Sequence, residues 1–163
     1  MLDQVPDLLI GTEMCLVAEV PGAGGRWQQV HFNKDIARQF FNLSLGDDRS
    51  ITLEKISATG RVVERTSRRL VFSEHTNKNS KIEFAFGSGV AYPMGSERPL
   101  LVVVEAAYLT YRYRTVMPGV AGYPGLQNLL AGGPSIGKGV RRRIVTLDEL
   151  ESYWPEAALR GGV

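Results

Sequence analysis

Short apolar runs, each bounded by Gly, Asn, Asp or Ser, recur along most of the chain. Apolar and polar positions alternate within several of them, and this period of two is typical of strands with one buried face. Many short strands with regular turns favour a sandwich or a barrel, in which few edges stay exposed. The strands predicted in this way are Glu13–Val20, Gln28–Phe32, Ser50–Ile56, Gly60–Glu64, Arg69–Ser73, Lys81–Phe86 and Leu100–Glu105.

Two segments have the spacing and the capping residues of short helices. Asn33 is suited to cap a helix over Lys34–Leu43, whose apolar residues fall on one face. Thr146 or Asp148 can cap a second helix that runs to Tyr153. The fold class predicted is therefore mainly β with two short helices, an α+β domain.

The stretch Val116–Gly139 is rich in Gly and Pro around an apolar centre, and it predicts a long loop with one short helical turn. The 163 residues suffice for one domain that buries its own core. We expect that domain to span residues 1–156, with residues 157–163 as a tail or the start of a linker. The ending Arg160-Gly-Gly-Val looks like a cut before such a linker.

Cysteine and histidine usage argues against disulfides and metal sites. Cys15 is the single cysteine and lies in the apolar run Met14–Ala18, which predicts a buried, inert thiol and a reducing, cytosolic compartment. His31 and His75 lie far apart, and neither has a ligand-like neighbour. Met1–Gly11 is acidic and has no long apolar run, so we expect neither a secretory signal nor a membrane span.

Catalytic motifs are scarce. Gly132–Lys138 has the spacing of a phosphate-binding P-loop, but Gly139 stands where a magnesium-holding Ser or Thr is needed, and a basic strand, Val140–Val145, follows instead of a helix. No lysine has an acidic residue two positions before it, which is the local signature of many metal-dependent nucleases. These patterns predict no catalysis and no cofactor, while a metal-assisted hydrolysis built from scattered carboxylates stays open.

The net charge of +2 and the pI of about 8.8 do not identify a partner, but the basic residues are clustered. Local positive fields attract polyanions such as nucleic acids. The alternative is that both clusters are solvated strand faces. The clustered residues are Arg61, Arg65, Arg68, Arg69, Lys78 and Lys81, and then Lys138, Arg141, Arg142 and Arg143.

A glycine-rich segment that begins at Gly22 runs directly into a strand and a helix. Its tip carries Arg26, Trp27, Gln28 and Gln29. Long polar side chains on a loop that is anchored by apolar residues can reach into a groove and hydrogen-bond base edges. The segment is therefore interpreted as a DNA-contacting arm.

The order of these features resembles the N-terminal effector-DNA-binding domain of EcoRII-type (type IIE) restriction endonucleases. That family has the DNA-binding pseudobarrel fold shared with the B-three domains of plant transcription factors. Beyond the first arm, the resemblance continues through the polar hairpin Glu74–Lys81 with its exit Ile82–Gly89, through Val116–Gly119 and Gly125–Gly133, and through the closing segment Ile144–Pro155. It implies a pseudobarrel of about seven or eight strands, whose two arms grip a duplex and enter the major groove.

Carried onto this sequence, the resemblance implies two sets of DNA contacts. Arg and Lys can donate twice to guanine, Asn and Gln can pair with adenine, and Glu can accept from cytosine. The second arm has fewer arginines and more asparagines than the family pattern. The implied DNA-binding residues are Arg26, Trp27, Gln28, Gln29, His31, Glu74, His75, Asn77, Lys78, Asn79 and Lys81. The residues implied at the DNA backbone are Arg61, Arg65, Arg68, Arg69, Arg141, Arg142 and Arg143.

The resemblance implies sequence-specific binding of double-stranded DNA, without catalysis, by the effector domain of a restriction endonuclease. The nuclease domain would lie in cis or in trans, the compartment would be the bacterial cytosol, and the isolated domain would be monomeric. The residues leave two other classes open. One is a small β-barrel enzyme that acts on a nucleotide or a sugar, and the other is a protein-interaction barrel with an aromatic patch of Tyr108, Tyr111, Tyr113 and Trp154. Trp27 could also simply close the mouth of the barrel.

Overall fold

The computed structural model describes residues 9–22, 27–72, 80–87, 89–136 and 139–160. Within these ranges the chain forms eight strands and three helices, which is a mainly β, α+β fold. The strands are β1 (Met14–Glu19), β2 (Gln29–Phe32), β3 (Asp48–Ile56), β4 (Val62–Val71), β5 (Ser80–Glu83), β6 (Leu100–Ala107), β7 (Thr110–Val116) and β8 (Arg142–Thr146). The helices are α1 (Lys34–Gln39), α2 (Tyr123–Ala131) and α3 (Leu147–Tyr153).

Six of the strands form one mixed sheet in the order β4-β3-β7-β6-β1-β8. The β3–β7 pair is parallel, and the other pairs of this sheet are antiparallel. Strands β2 and β5 pair with each other as a separate antiparallel unit, which we call the ribbon. Among the described residues, no helix is long and apolar enough to cross a membrane.

The central strands β1 and β6 are buried on both faces. Leu16 and Ala18 belong to a core that joins the sheet to the ribbon and α1, which we call the ribbon-side core. Cys15 and Val17 belong to a second core, the helix-side core, that joins the opposite face to α2 and α3. Strands with two buried faces have continuous apolar runs in place of alternation. This explains the run Leu100–Val104, in which every residue is fully buried.

Two of the helices begin where their caps were predicted. The side chain of Asn33 accepts a hydrogen bond from Ile36 N at 2.9 Å, and α1 follows it. Thr146 Oγ1 accepts from Glu149 N at 3.1 Å, so Thr146, and not Asp148, caps α3. Helix α1 ends before the predicted Leu43, since Asn42 adopts a left-handed φ of 56°.

The prediction of a long loop with one short turn across Val116–Gly139 is wrong for its central part. Tyr123–Ala131 is a nine-residue helix, α2, whose Leu126 and Leu129 are fully buried in the helix-side core. Gly125 lowers the intrinsic helix propensity of this segment, whereas Pro124 lies in the first turn, where proline is tolerated. Burial against the sheet and α3 stabilises the helix.

The prediction of two strands at Gly60–Glu64 and Arg69–Ser73 is also corrected. They form one ten-residue strand, β4, that continues through the polar stretch between them. Thr66 lies opposite Leu53 and Arg68 lies opposite Ile51, so the backbone ladder with β3 carries the strand through residues that have no apolar alternation.

The expectation of a linker beginning at residue 157 is corrected by the packing of that segment. Ala157 and Leu159 are fully buried in the helix-side core. Arg114 donates to the carbonyl oxygen of Ala157 at 2.9 Å, and Arg160 donates from Nε to Glu151 Oε2 at 2.9 Å. Residues 157–160 therefore belong to the folded unit.

Replacement of Leu126 by alanine tests whether α2 is a core element. Truncation of a fully buried leucine should lower the free energy of unfolding by about 2–5 kcal/mol, through lost burial and the cavity that remains. Asn128→Ala, at an exposed position of the same helix, should change it by less than about 0.5 kcal/mol. Urea unfolding followed by circular dichroism measures both, and equal effects of the two substitutions would contradict the assignment.

Candidate nucleic-acid interface

The ribbon has one apolar face and one polar face. Val30 and Ile82, which lie opposite each other, are buried against the sheet. The alternate residues Gln29, His31 and Glu83 lie on the other face, where His31 and Glu83 are exposed and Gln29 is half-buried. Two of the predicted DNA-binding residues, Gln29 and His31, therefore share one polar surface.

The predicted arms enter this ribbon at opposite ends. The first arm leads into Gln29, which lies opposite Glu83, and the second arm leads into Ser80, which lies opposite Phe32. Three residue intervals at about 3.3 Å each separate the two entry points by about 10 Å along the ribbon. Six predicted residues of the arms lie outside the described residues: Arg26, Glu74, His75, Asn77, Lys78 and Asn79. For Lys81 the structure describes only the backbone, which lies opposite His31.

An open cleft of about 380 Å³ lies between the ribbon and the β3–β4 strands. Four of its lining side chains are charged: Lys55 and Arg68 are cations, and Glu64 and Glu83 are carboxylates. Lys55 lies opposite Glu64 in the β3–β4 register. The cleft thus offers donors and acceptors side by side, as recognition of base edges requires. The sequence prediction missed Lys55, Glu64 and Glu83, because only strand pairing brings them together.

Two predicted DNA-binding residues of the first arm lie in different surroundings, one in the core and one at the cleft. Trp27 is only 6% exposed and packs against Phe86 and Tyr92 with ring centroids 4.8 and 5.4 Å away. Its assignment as a base-contacting residue is therefore corrected: it closes the ribbon-side core, as the alternative interpretation held. Gln28 lines the cleft, and its side-chain oxygen accepts from Phe86 N at 3.1 Å. This bond holds Gln28 against the exit of the second arm.

The basic residues of β4 divide between the two faces of the sheet. Arg65 forms an ion pair with Glu54 at 2.8 Å, and Arg69 donates from Nε to Asp48 at 2.8 Å. Both lie at odd-numbered positions, whose side chains point away from the ribbon. Arg68 lies on the ribbon side and lines the cleft, and its buried Nε has no hydrogen-bond partner within the described ranges. Of these three, Arg68 is the one placed to contact a ligand in the cleft.

The predicted backbone contacts in β8 and just before it are buried or already bonded to other parts of the protein. Arg141 donates from its backbone nitrogen to Glu19 Oε1 at 2.7 Å. Arg142 is only 5% exposed, and Arg143 Nη1 donates to the carbonyl oxygen of Leu129 at 2.6 Å. We therefore remove this cluster from the candidate interface. Arg61, by contrast, is exposed in the turn between β3 and β4.

The described part of the glycine-rich segment before β8, which ends at Ile136, covers a strand edge. Ser135 Oγ accepts from Arg142 N at 2.9 Å, and Ile136 N donates to the carbonyl oxygen of Arg142 at 2.8 Å. The Ser135 hydroxyl and the Ile136 N–H are thus used along the outer side of β8, where they satisfy an otherwise open edge.

The proposed aromatic patch is not on the surface. Tyr111, Tyr113 and Trp154 are each at most 2% exposed, and only Tyr108, at 80%, faces solvent. Three of the four residues offered for a protein-interaction barrel are therefore core residues, which corrects the proposed patch.

Cys15 is fully buried, as predicted, and burial raises the pKa of its thiol well above the usual range. Within the described part of the chain, no three His, Cys, Asp or Glu side chains are grouped as a metal site would need.

No family model and no curated protein sequence matches the chain. Among solved structures, the N-terminal domain of Helicobacter pylori LlaJI.R1 is similar, with a TM-score of 0.51. The match covers 81% of this chain and 97% of that domain at 10% sequence identity. At this identity the likeness concerns the fold alone.

An ion-pair cluster around Glu19 joins β1 to β8 beside the start of the first arm. Glu19 is only 6% exposed. Its Oε1 accepts a hydrogen bond from Arg141 N and lies 3.4 Å from Arg98 Nη1. Burial raises the pKa of Glu19, but the hydrogen bonds from the backbone and guanidinium of Arg141 and the charge of Arg98 together outweigh it. The net result is a pKa below the ordinary value of 4.5.

Because the folded-state pKa of Glu19 is lowered, the ionised carboxylate stabilises the fold above pH 4.5, and that stabilisation is lost as the pH falls through the folded-state pKa. Glu19→Gln should lower the free energy of unfolding by about 1–3 kcal/mol at pH 7. In urea unfolding, the two proteins should converge in stability as the pH falls through the folded-state pKa of Glu19. Glu97→Gln, at an exposed position, is the matched control. A gap that stays constant down to pH 2 would show that charge is not the cause.

Proposed function

We propose that this domain binds double-stranded DNA sequence-specifically through two arms in the major groove. The single observation that carries the proposal is the ribbon, since both arms enter it at opposite ends and its outer face bears the polar residues Gln29, His31 and Glu83. The major groove of B-DNA, about 12 Å wide, admits a two-stranded β-ribbon. The separation of about 10 Å between the arm entries agrees with that dimension.

The fold likeness supports the same proposal. The N-terminal domain of LlaJI.R1 belongs to a restriction-enzyme-like protein. In this proposal the present domain is a recognition domain, in the manner of a type IIE restriction endonuclease, and a nuclease domain in cis or in trans carries out cleavage in the bacterial cytosol. The domain itself binds without catalysis and without a cofactor.

The proposed roles follow from position and chemistry. Gln28, at the cleft, and Gln29 and His31, on the outer face of the ribbon, contact base edges. Arg61 and Arg68 contact phosphates and fix the register of the protein on the duplex. The proposed base-contacting residues of the arms and of the second ribbon strand are Arg26, Glu74, His75, Asn77, Lys78, Asn79 and Lys81.

Gln28→Glu separates recognition from folding at the cleft. The substitution keeps an oxygen to accept from Phe86 N but removes the amide donor that a base needs. We expect the preference for a duplex selected from a randomised pool over the pool itself to fall by about 5- to 150-fold, as expected for one lost bidentate contact of roughly 1–3 kcal/mol. Lys78→Ala should lower it similarly.

Fluorescence anisotropy with labelled duplexes measures this preference, and circular dichroism should stay unchanged in both variants. Gln39→Glu makes the same charge change at an exposed end of α1 and should leave the preference intact. Normal discrimination by both Gln28→Glu and Lys78→Ala would refute the assignment of the arms.

Arg68→Ala tests the phosphate contacts. It should weaken binding to the selected and randomised duplexes by the same factor, and it should reduce the slope of log affinity against log salt by about 1. Arg69→Ala is the control, because Arg69 is paired with Asp48 on the face of the sheet opposite the cleft. This substitution should leave the slope unchanged. Titrations at two or more salt concentrations measure both. Equal slopes for wild type and Arg68→Ala would remove Arg68 from the interface.

A further inference from the structure

Two arginines of this fold are almost fully buried, and their surroundings differ. Arg112 is 4% exposed, and its guanidinium meets Glu54 Oε1 at 3.3 Å and the carbonyl oxygen of Leu159 at 3.2 Å. Arg142 is 5% exposed, and its Nε is sealed from solvent without a hydrogen-bond partner in the described part of the chain. No described carboxylate forms an ion pair with Arg142.

The alternation of β8 explains this isolation. Arg143 points to the helix side, where it forms an ion pair with Glu149 at 3.6 Å, and Arg141 is paired with Glu19. Arg142 points to the ribbon side, where its guanidinium carbon lies 5.4 Å from the centre of the Phe32 ring. Arg141 and Arg143 thus pair with Glu19 and Glu149, whereas Arg142 contacts the face of an aromatic ring.

The charge of Arg142 persists in this setting. Burial lowers its pKa to about 10, so the guanidinium is still protonated at neutral pH. A buried cation without a counter-charge destabilises a fold, and a contact with an aromatic ring offsets only part of that cost. An oxyanion could offset the remainder, because the planar guanidinium fork matches phosphate and carboxylate oxygens.

We propose that Arg142 anchors an oxyanion site that accepts a phosphate group. The site lies where β8 borders the ribbon-side core, beside the Phe32 ring. The unpartnered Nε and the isolation of the guanidinium from carboxylates carry the assignment. The anion is inorganic phosphate, since Arg142 lies outside the candidate interface, and the site does not depend on the proposed DNA-binding function.

Thermal unfolding with inorganic phosphate as the probe tests the site. In phosphate at roughly ten times its Kd, compared with chloride of equal ionic strength, the unfolding temperature of the wild type should rise by about 3–6 °C. Arg142→Met, of similar length and uncharged, should show only the smaller rise that phosphate causes in proteins generally. Arg69→Met, at an exposed and paired position, should keep the full shift.

A second measurement, made on the wild type, tests the proposal even if Arg142→Met does not fold. The nuclear magnetic resonance signal of the Arg142 Nε–H group should move on addition of phosphate. A short DNA duplex should not move it, because Arg142 lies outside the candidate interface. A signal that inorganic phosphate does not move, or equal temperature shifts in wild type and Arg142→Met, would overturn the proposal.

Discussion

Burial of both faces of β1 and β6 is the constraint on which the rest of the fold depends. A sheet whose central strands are apolar on both sides must be covered on both sides. Helices α2 and α3 cover one face, and α1 with the ribbon covers the other. The ribbon can do this only by turning Val30 and Ile82 inward, and the period of two then places Gln29 and Glu83 outward. The candidate interface is thus a consequence of closing the core.

The same alternation gives adjacent basic residues opposite roles. In β4, Arg69 meets Asp48 on one face while its neighbour Arg68 lines the cleft on the other. Glu54 accepts from both Arg65 and Arg112, so a single carboxylate links β4, β3 and β7. Ion pairs of this kind use much of the positive charge that appears clustered along the chain. The basic stretches of the sequence are therefore a poor guide to the electrostatic surface.

Local chemistry explains what could be predicted from the sequence. Asn33 and Thr146 cap helices because their side-chain oxygens satisfy a backbone N–H three residues on, an interaction contained within one turn. The strand pattern and the buried Cys15 follow from apolar runs of a few residues. The proposal of DNA-contacting arms likewise began from one continuous segment, although most of the arm residues lie outside the described part of the chain.

Tertiary structure alone decided the features that depend on partners distant in sequence. Helix α2 forms despite Gly125 because burial against α3 and the sheet outweighs the low local helix propensity. Trp27 sits in the core because Phe86 and Tyr92, some 60 residues later in the chain, meet it there. The cleft exists because strand register brings Lys55 and Glu64 to the ribbon. The sequence by itself determined periods and caps, whereas pairing, burial and charge compensation required the folded chain, since each is an interaction between separate segments.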